Sequence, residues 1–298
     1  MPAQGSPARV AVVTRTRERN LFLQRAGASV AAQSFNDLVW VVVNDGGDPD
    51  GVTRAIEHLG PNRPENILRI DHDAPLGRGA AANAGVRAAQ SEFVHLHDDD
   101  DTVAPNFIER LVARLDATPF AAGACAPVTR IIERVGSDGI AREHRRKRSD
   151  LVPGPVPLVD MAERNWVSPI GLVYRRAAFE AAGGYPEDLP VMEDWVLHLN
   201  LMLHGEIWVD PASEAFHHLR LDPGGGDRAA RNSMEAELSS HQAYDIIVRN
   251  RVLRREIGPD GAGLGALMNP PDRIMRGRLK RLLSWAAALG RIASGGSR

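Results

Sequence analysis

The chain has 298 residues, 43% of them hydrophobic and 25% charged, with a formal net charge of −2. That is enough to bury one substantial core, best read as a large α/β domain with an appendage, and it gives the chain as a whole no electrostatic attraction for nucleic acid. The single Cys125 excludes an internal disulfide and a cysteine metal cluster and fits a reducing compartment.

At the N-terminus, Met1 to Pro7 lacks a basic-then-apolar signal pattern, and no stretch approaches 18 uncharged apolar residues, so a cytoplasmic location is expected. Residues 8–14 predict a buried strand, and 18–33 a helix that turns Leu21, Leu23, Ala26, Val30 and Ala31 inward. Val39-Trp40-Val41-Val42-Val43 suits a parallel strand covered on both faces, ending in the turn Asn44-Asp45-Gly46-Gly47. A helix over 50–59, a strand over 66–70 and an Ala-rich helix within 77–89 lead to a strand at 92–97. This alternation implies right-handed crossovers and a mostly parallel sheet.

Farther on, a helix is expected at 105–117, strand-like chain at 120–135, and an Arg-rich solvated loop at 136–150. A helix at 158–165, a strand at 170–175 and a short helix to Ala182 follow, then a helix at 193–203 and a strand at 206–210. After Pro223-Gly224-Gly225-Gly226 a long helix is expected at 229–255. Residues 273–298 hold seven Arg or Lys and no acidic residue. This tail reads either as a basic amphipathic helix on an anionic membrane or as a helix docked on protein.

The stretch from Phe93 to Asp101 stands out. An apolar-rich run ends in four consecutive carboxylates, Asp98 to Asp101. Aspartate is a poor strand residue, so the cluster should lie at the strand's C-terminal end, where open α/β sheets place ligands. Four adjacent negative charges stay together only if cations offset them. A divalent metal carrying a phosphorylated substrate is one answer; a solvated acidic turn capping the next helix is the other.

Several motifs then fall in one order. Asn44-Asp45-Gly46, Asn83-Ala84-Gly85, Phe93 to Asp101, Arg175-Arg176, Gly183-Gly184-Tyr185 and Glu193-Asp194-Trp195 together resemble the family 2 glycosyltransferases, over roughly residues 8–221. The resemblance implies an α/β GT-A fold, with a Rossmann-like, mostly parallel central sheet flanked by helices and a C-terminal helical extension. The GT-A domain would be 1–222, with a nucleotide-sugar half at 8–115 and an acceptor half at 120–222, and the extension 223–298. The implied activity is metal-dependent, inverting transfer from a nucleoside-diphosphate sugar, UDP before GDP or dTDP, to a hydroxyl of a glycan, lipid-linked or small-molecule acceptor.

Residue by residue, the resemblance implies Asp100 and Asp98 as ligands of Mn or Mg, joined by His218. Thr14, Thr16, Asp45, Arg78, Asp98 and Asp99 would surround the nucleotide sugar. Asp194 would be the general base, with Glu193 beside it. Partners expected are the sugar donor, an acceptor, a membrane inner face through 273–298 and a second copy in a homodimer, but no nucleic acid. Departures from the family pattern are Thr14-Arg15-Thr16-Arg17 in place of Pro-x-Tyr-Asn, Asn44 for an aspartate, Gly47 for a serine and Ala82 for an arginine.

Two rivals stay in view. Asp99-x-Asp101-x-Val103 also fits haloacid-dehalogenase-like phosphatases, but their nucleophile lies on the first strand and a downstream lysine holds phosphate. Here three strands precede the motif, and the only lysines are Lys147 and Lys280. The other rival is a catalytically inactive sugar-nucleotide or glycan-binding module that kept the fold.

Overall fold

The computed structural model describes residues 8–135, 141–221 and 238–256. In chain order the elements are β1 (Val10–Thr16), α1 (Asn20–Ala31), β2 (Leu38–Asp45), α2 (Pro49–Glu57), β3 (Ile67–His72), α3 (Arg78–Ala88) and β4 (Phe93–Leu96). Then come β5 (Thr102–Val103), α4 (Phe107–Ala117), β6 (Ala121–Cys125), β7 (Val128–Val135), β8 (Ala141–Arg148), β9 (Gly154–Pro155) and α5 (Leu158–Glu163). The last are β10 (Leu172–Arg175), α6 (Arg176–Ala181), α7 (Glu193–Leu201), β11 (Glu206–Val209), β12 (Ala215–Leu221) and α8 (Leu238–Glu256).

Eight strands form the central sheet in the order β3-β2-β1-β4-β10-β6-β11-β9. The first four run parallel; β10 is antiparallel to both of its neighbours, and β6 and β11 are again parallel. Every residue of β1 and β2 is buried because helices cover both faces. Alternation assigns the layers. Ala11, Val13, Val39, Val41 and Val43 share a core with Ala81 and Val86 of α3. Val10, Val12, Trp40 and Val42 share the other core with Leu23 and Val30 of α1 and Phe107 and Leu111 of α4. Helix α3 lies close because Gly85 lacks a side chain: a Cβ there would stand 2.3 Å from Val13 Cγ1.

A second sheet, β5-β12-β7-β8, stands beside the C-terminal edge of β4. Its outer strand corrects the expectation of an Arg-rich loop over 136–150. Residues 141–148 form β8, antiparallel to β7, with 136–140 outside the described residues. The edge of β7 offers backbone partners to any extended segment, so β8 forms without an apolar pattern of its own. The expected strand-like chain at 120–135 divides at Ala126-Pro127, where proline cannot continue the ladder.

In α1 the inward positions are Phe22, Leu23, Ala26, Gly27 and Val30, while Leu21 is 65% exposed. Phe22 takes the inward place expected of Leu21, and the guanidinium of Arg220 lies 4.1 Å from its ring centroid. Helix α8 matches the later part of the helix expected at 229–255; residues 229–237 and the tail 273–298 lie outside the described residues. Among the described residues no helix is long and apolar enough to cross a membrane.

Candidate active site

Strand β4 ends at Leu96, and the aspartates emerge at the sheet's C-terminal edge. His95 and His97 anchor the strand from inside; burial holds their imidazoles neutral, down to about 3 and about 4. The cations that offset the cluster are arginines. Asp98 Oδ1 accepts from Arg15 Nε at 2.9 Å, and Arg78 lies 3.9 Å from Oδ2. Asp99 accepts from Arg19 at 2.9 Å and from the Thr16 hydroxyl at 2.7 Å. Asp100 accepts from Arg220 at 2.6 Å and pairs with Arg19 at 3.2 Å; its backbone carbonyl accepts from Arg25. Asp101 caps the backbone N–H of His218 at 2.9 Å.

These environments split the four carboxylates. Burial opposes ionisation at each one. At Asp98 the guanidiniums of Arg15 and Arg78 outweigh it, and at Asp100 those of Arg19 and Arg220 do, so both sit below the usual range. At Asp99 burial and the charge of Asp100 outweigh Arg19 and lift the carboxyl to about 7. At Asp101 burial, Asp100 and Asp98 lift it well above the carboxylate range. Repulsion within the run is therefore relieved twice, by arginines and by partial protonation.

The second half of the site opens α7. Met192 adopts φ +70°, ψ 8°, a left-handed conformation that costs a non-glycine residue about 1–2 kcal/mol. It turns the chain so that Glu193 and Asp194 begin the helix beside the sheet edge. Glu193 is buried between two guanidiniums, Arg15 Nη1 at 3.0 Å and Arg78 Nε at 3.1 Å. Arg15 thus ties the aspartate cluster to the start of α7, and its Nη1 also donates to the Arg78 carbonyl at 2.9 Å. Asp194 Oδ2 accepts from Asn165 Nδ2 at 2.9 Å; Asn165 Oδ1 in turn accepts from His198 Nδ1 at 3.0 Å. His198 is fully buried and held neutral, down to about 3. Burial, then the charge of Glu193, raises Asp194 to about 6.

Two expected nucleotide contacts are occupied elsewhere. Thr14 is fully buried, and its hydroxyl accepts from the Trp40 indole N–H at 2.9 Å, because a buried indole needs an acceptor. Asp45 accepts from the backbone N–H groups of Leu76 and Gly77 at 2.8 and 3.0 Å and from His72 Nδ1 at 2.9 Å, which pins the loop entering α3. His218 does not turn to the cluster as expected. Its Nδ1 lies 2.9 Å from a Glu133 carboxylate oxygen and its Nε2 3.0 Å from the Thr102 hydroxyl, so both ring nitrogens are engaged away from Asp98 and Asp100. Thr16, Arg78, Asp98, Asp99, Asp100, Glu193 and Asp194 do gather at the edge. Arg15, Arg19, Arg220 and Asn165 were not anticipated; for Arg15 and Arg19 the place of the residues just after the first strand was the available signal.

Asn83 explains another matched motif. Its side chain donates to the Tyr185 carbonyl and accepts from the Tyr185 N–H, both at 2.9 Å, fixing the Gly183-Gly184-Tyr185 segment against α3.

Among the described residues no group of three or more His, Cys, Asp or Glu is placed to hold a metal ion. Asp98 and Asp100 nonetheless present hard carboxylate oxygens that are part-exposed, with side-chain exposures of 23% and 14%. Magnesium-type ions commonly take one or two carboxylates and complete their shell with substrate phosphate and water. The donor set fits that arrangement and does not fit an all-protein cage.

Comparison with known proteins agrees with this architecture. The family model described as glycosyl transferase family 2 matches residues 10–158, half of the chain. The uncharacterized glycosyltransferase YwdF of Bacillus subtilis is 25% identical over 191 residues, 64% of this chain and 67% of that protein. The succinoglycan biosynthesis protein ExoO of Rhizobium meliloti is 26% identical over 233 residues, 74% of this chain and 63% of that one. Another relative, the uncharacterized glycosyltransferase alr2836 of Nostoc, is 35% identical, but the match spans only 32% of its length. Among solved structures, S. aureus TarS 1-349 in complex with UDP-GlcNAc shares the fold at TM-score 0.63 and 18% identity, over 87% of this chain and 70% of that one. The mannosyltransferase PcManGT of Pyrobaculum calidifontis, in complex with GDP-Man and Mn2+, does so at TM-score 0.62 and 16% identity, over 100% and 79%. On the family match and this shared glycosyltransferase fold, the chain belongs to glycosyl transferase family 2.

Proposed function

We propose that the chain transfers a sugar, with inversion, from a nucleoside-diphosphate sugar to an acceptor hydroxyl, with UDP the first-choice nucleotide. The catalytic unit on this reading is 1–222. The observation that carries it is Arg15, which joins Asp98 and Glu193 and so brings the donor-side aspartates and the Glu193-Asp194 pair to one sheet edge. The fold relatives solved with UDP-GlcNAc and with GDP-Man and Mn2+ support a nucleotide-sugar donor and a divalent metal.

Asp98 and Asp100 would hold Mg or Mn together with the donor diphosphate. The ion would stabilise the charge that develops on the leaving group. Arg78 borders the same edge and adds positive charge there. The acceptor oxygen attacks the anomeric carbon as Asp194 takes its proton, and the bond to the diphosphate breaks with its electron pair leaving on the diphosphate oxygen. A base poised at about 6 is ionised at neutral pH and still basic enough to accept a proton. Asn165, held by His198, fixes the carboxylate plane and acts as a positioning residue.

The test is incubation with a panel of UDP-, GDP- and dTDP-sugars in Mn, reading released nucleoside diphosphate. Release from at least one donor is expected. Binding of donors with no hydrolysis or transfer from any of them would turn the reading into that of a non-enzymatic binding module.

A further inference from the structure

The second sheet carries a cationic face that donor chemistry leaves unused. In the β7–β8 register Arg130 stands opposite Lys147, Ile132 opposite Arg145, and Arg134 opposite Arg142. Directly opposed residues share a face, so five cationic side chains lie on one side of this ribbon. Arg130, Arg134, Arg145 and Lys147 are exposed, and none of them makes an ion pair with a described residue. The reverse side differs: there Arg146 pairs with Glu143 at 2.5 Å and Arg148 with Glu214 at 3.5 Å. Like charges directly opposed across strands destabilise a sheet, and an anionic ligand laid along them relieves that repulsion.

Strand β12 joins this sheet to the candidate active site. Strand β12 lies beside β7, with His217 level with Arg130 and Leu219 level with Ile132. The residue next to His217, His218, donates its N–H to Asp101. With Arg220 of the same strand donating to Asp100, β12 lies against the aspartate cluster, and the cationic positions stand one and two strand steps beyond it on β7 and β8, roughly 10 Å at about 4.8 Å per step. The facing positions level with Arg130, Ile132 and Arg134 hold no Phe, Tyr or Trp for base stacking and three apolar residues, Ile132, Leu219 and Leu221, which disfavours single-stranded nucleic acid and membrane insertion.

We propose that this face is the docking track for an acidic glycan, an acceptor chain with repeated anionic groups that the track leads towards Asp194. The proposal rests on the sugar-transfer reading above and adds its acceptor class.

Binding of fluorescein-labelled oligogalacturonate, followed by anisotropy over a range of salt, tests it. Wild type is expected to bind, with neutral dextran of similar length failing to compete. Arg145→Glu/Lys147→Glu should weaken binding at least about tenfold and lower the salt slope by about two. The milder Arg134→Gln/Arg145→Gln should lose affinity in the same direction. Arg54→Glu/Arg63→Glu, the same charge change on a distant surface, should not. Three results overturn the proposal: equal loss in that distant pair, displacement of the oligogalacturonate by UDP, and capture by phosphatidylglycerol–phosphatidylcholine vesicles or oligo-dT in preference to oligogalacturonate. UDP binding on the same samples reports the donor site separately. A protein that binds UDP and ignores oligogalacturonate overturns the track and leaves the donor reading standing.

Discussion

Asp194→Asn is expected to lower sugar transfer by about 10²–10⁴-fold, leave nucleoside-diphosphate affinity unchanged, and raise the melting temperature at neutral pH. The first effect is the loss of a general base. The second follows because Asp194 belongs to the α7 side of the site, apart from Asp98 and Asp100. The third is a linkage effect. Burial and Glu193 raise the Asp194 carboxyl from 3.8 to about 6, so between those values the folded chain holds a proton that the unfolded chain has released. Stability therefore falls as pH rises through that window, and above it the fold carries an unfavourable buried charge. Asparagine removes that charge and can still accept from Asn165. A gain of roughly 2–5 °C above pH 6 that vanishes below pH 4 is the expected signature in a thermal-melt series. Transfer by the wild-type chain should decline below about pH 6. Unchanged transfer in the variant would remove Asp194 from the base role.

Arg15→Met should be the most damaging single change in the site. Arg15 is 7% exposed and serves Asp98, Glu193 and the Arg78 carbonyl from one planar group. Removing it leaves buried Glu193 and half-buried Asp98 each short of a partner, at a cost of about 3–5 kcal/mol, or roughly 6–15 °C in melting temperature. Arg15→Lys keeps the charge but cannot reproduce the fork and should recover only part of the loss. The sign of the pH dependence follows from Asp98, whose folded-state carboxyl lies below its ordinary value. That stabilisation is present above the ordinary value and is lost as pH falls through the folded one. Chemical denaturation at pH 7 and pH 3 should show the variant's deficit shrinking in acid. A deficit equal at both pH values would contradict the assignment of Arg15 as partner of ionised Asp98.

The parts of the fold that were legible in sequence are those where covalent period and burial agree. The apolar runs of β1, β2 and β4 and the carboxylate stop after Leu96 needed no long-range knowledge. Strand β8 was hidden because its order comes from the free edge of β7, while its own residues show only charge. The side of β12 that carries His218 depends on pairing with β5 and β7, so choosing between His217 and His218 required register. Thr14 was drawn inward by Trp40, a residue 26 positions away whose indole N–H needed an acceptor. The acidic members of the site announced themselves as runs; the arginines that hold them apart are scattered from Arg15 to Arg220 and become a set only in three dimensions.

Calorimetric titration of UDP, GDP and dTDP into the wild-type chain, in Mn and again after chelation, addresses the central claim directly. Binding in Mn of at least one nucleoside diphosphate, UDP first, is expected, with a loss of about tenfold or more in affinity once the metal is removed. Absence of binding by all three in Mn would contradict it.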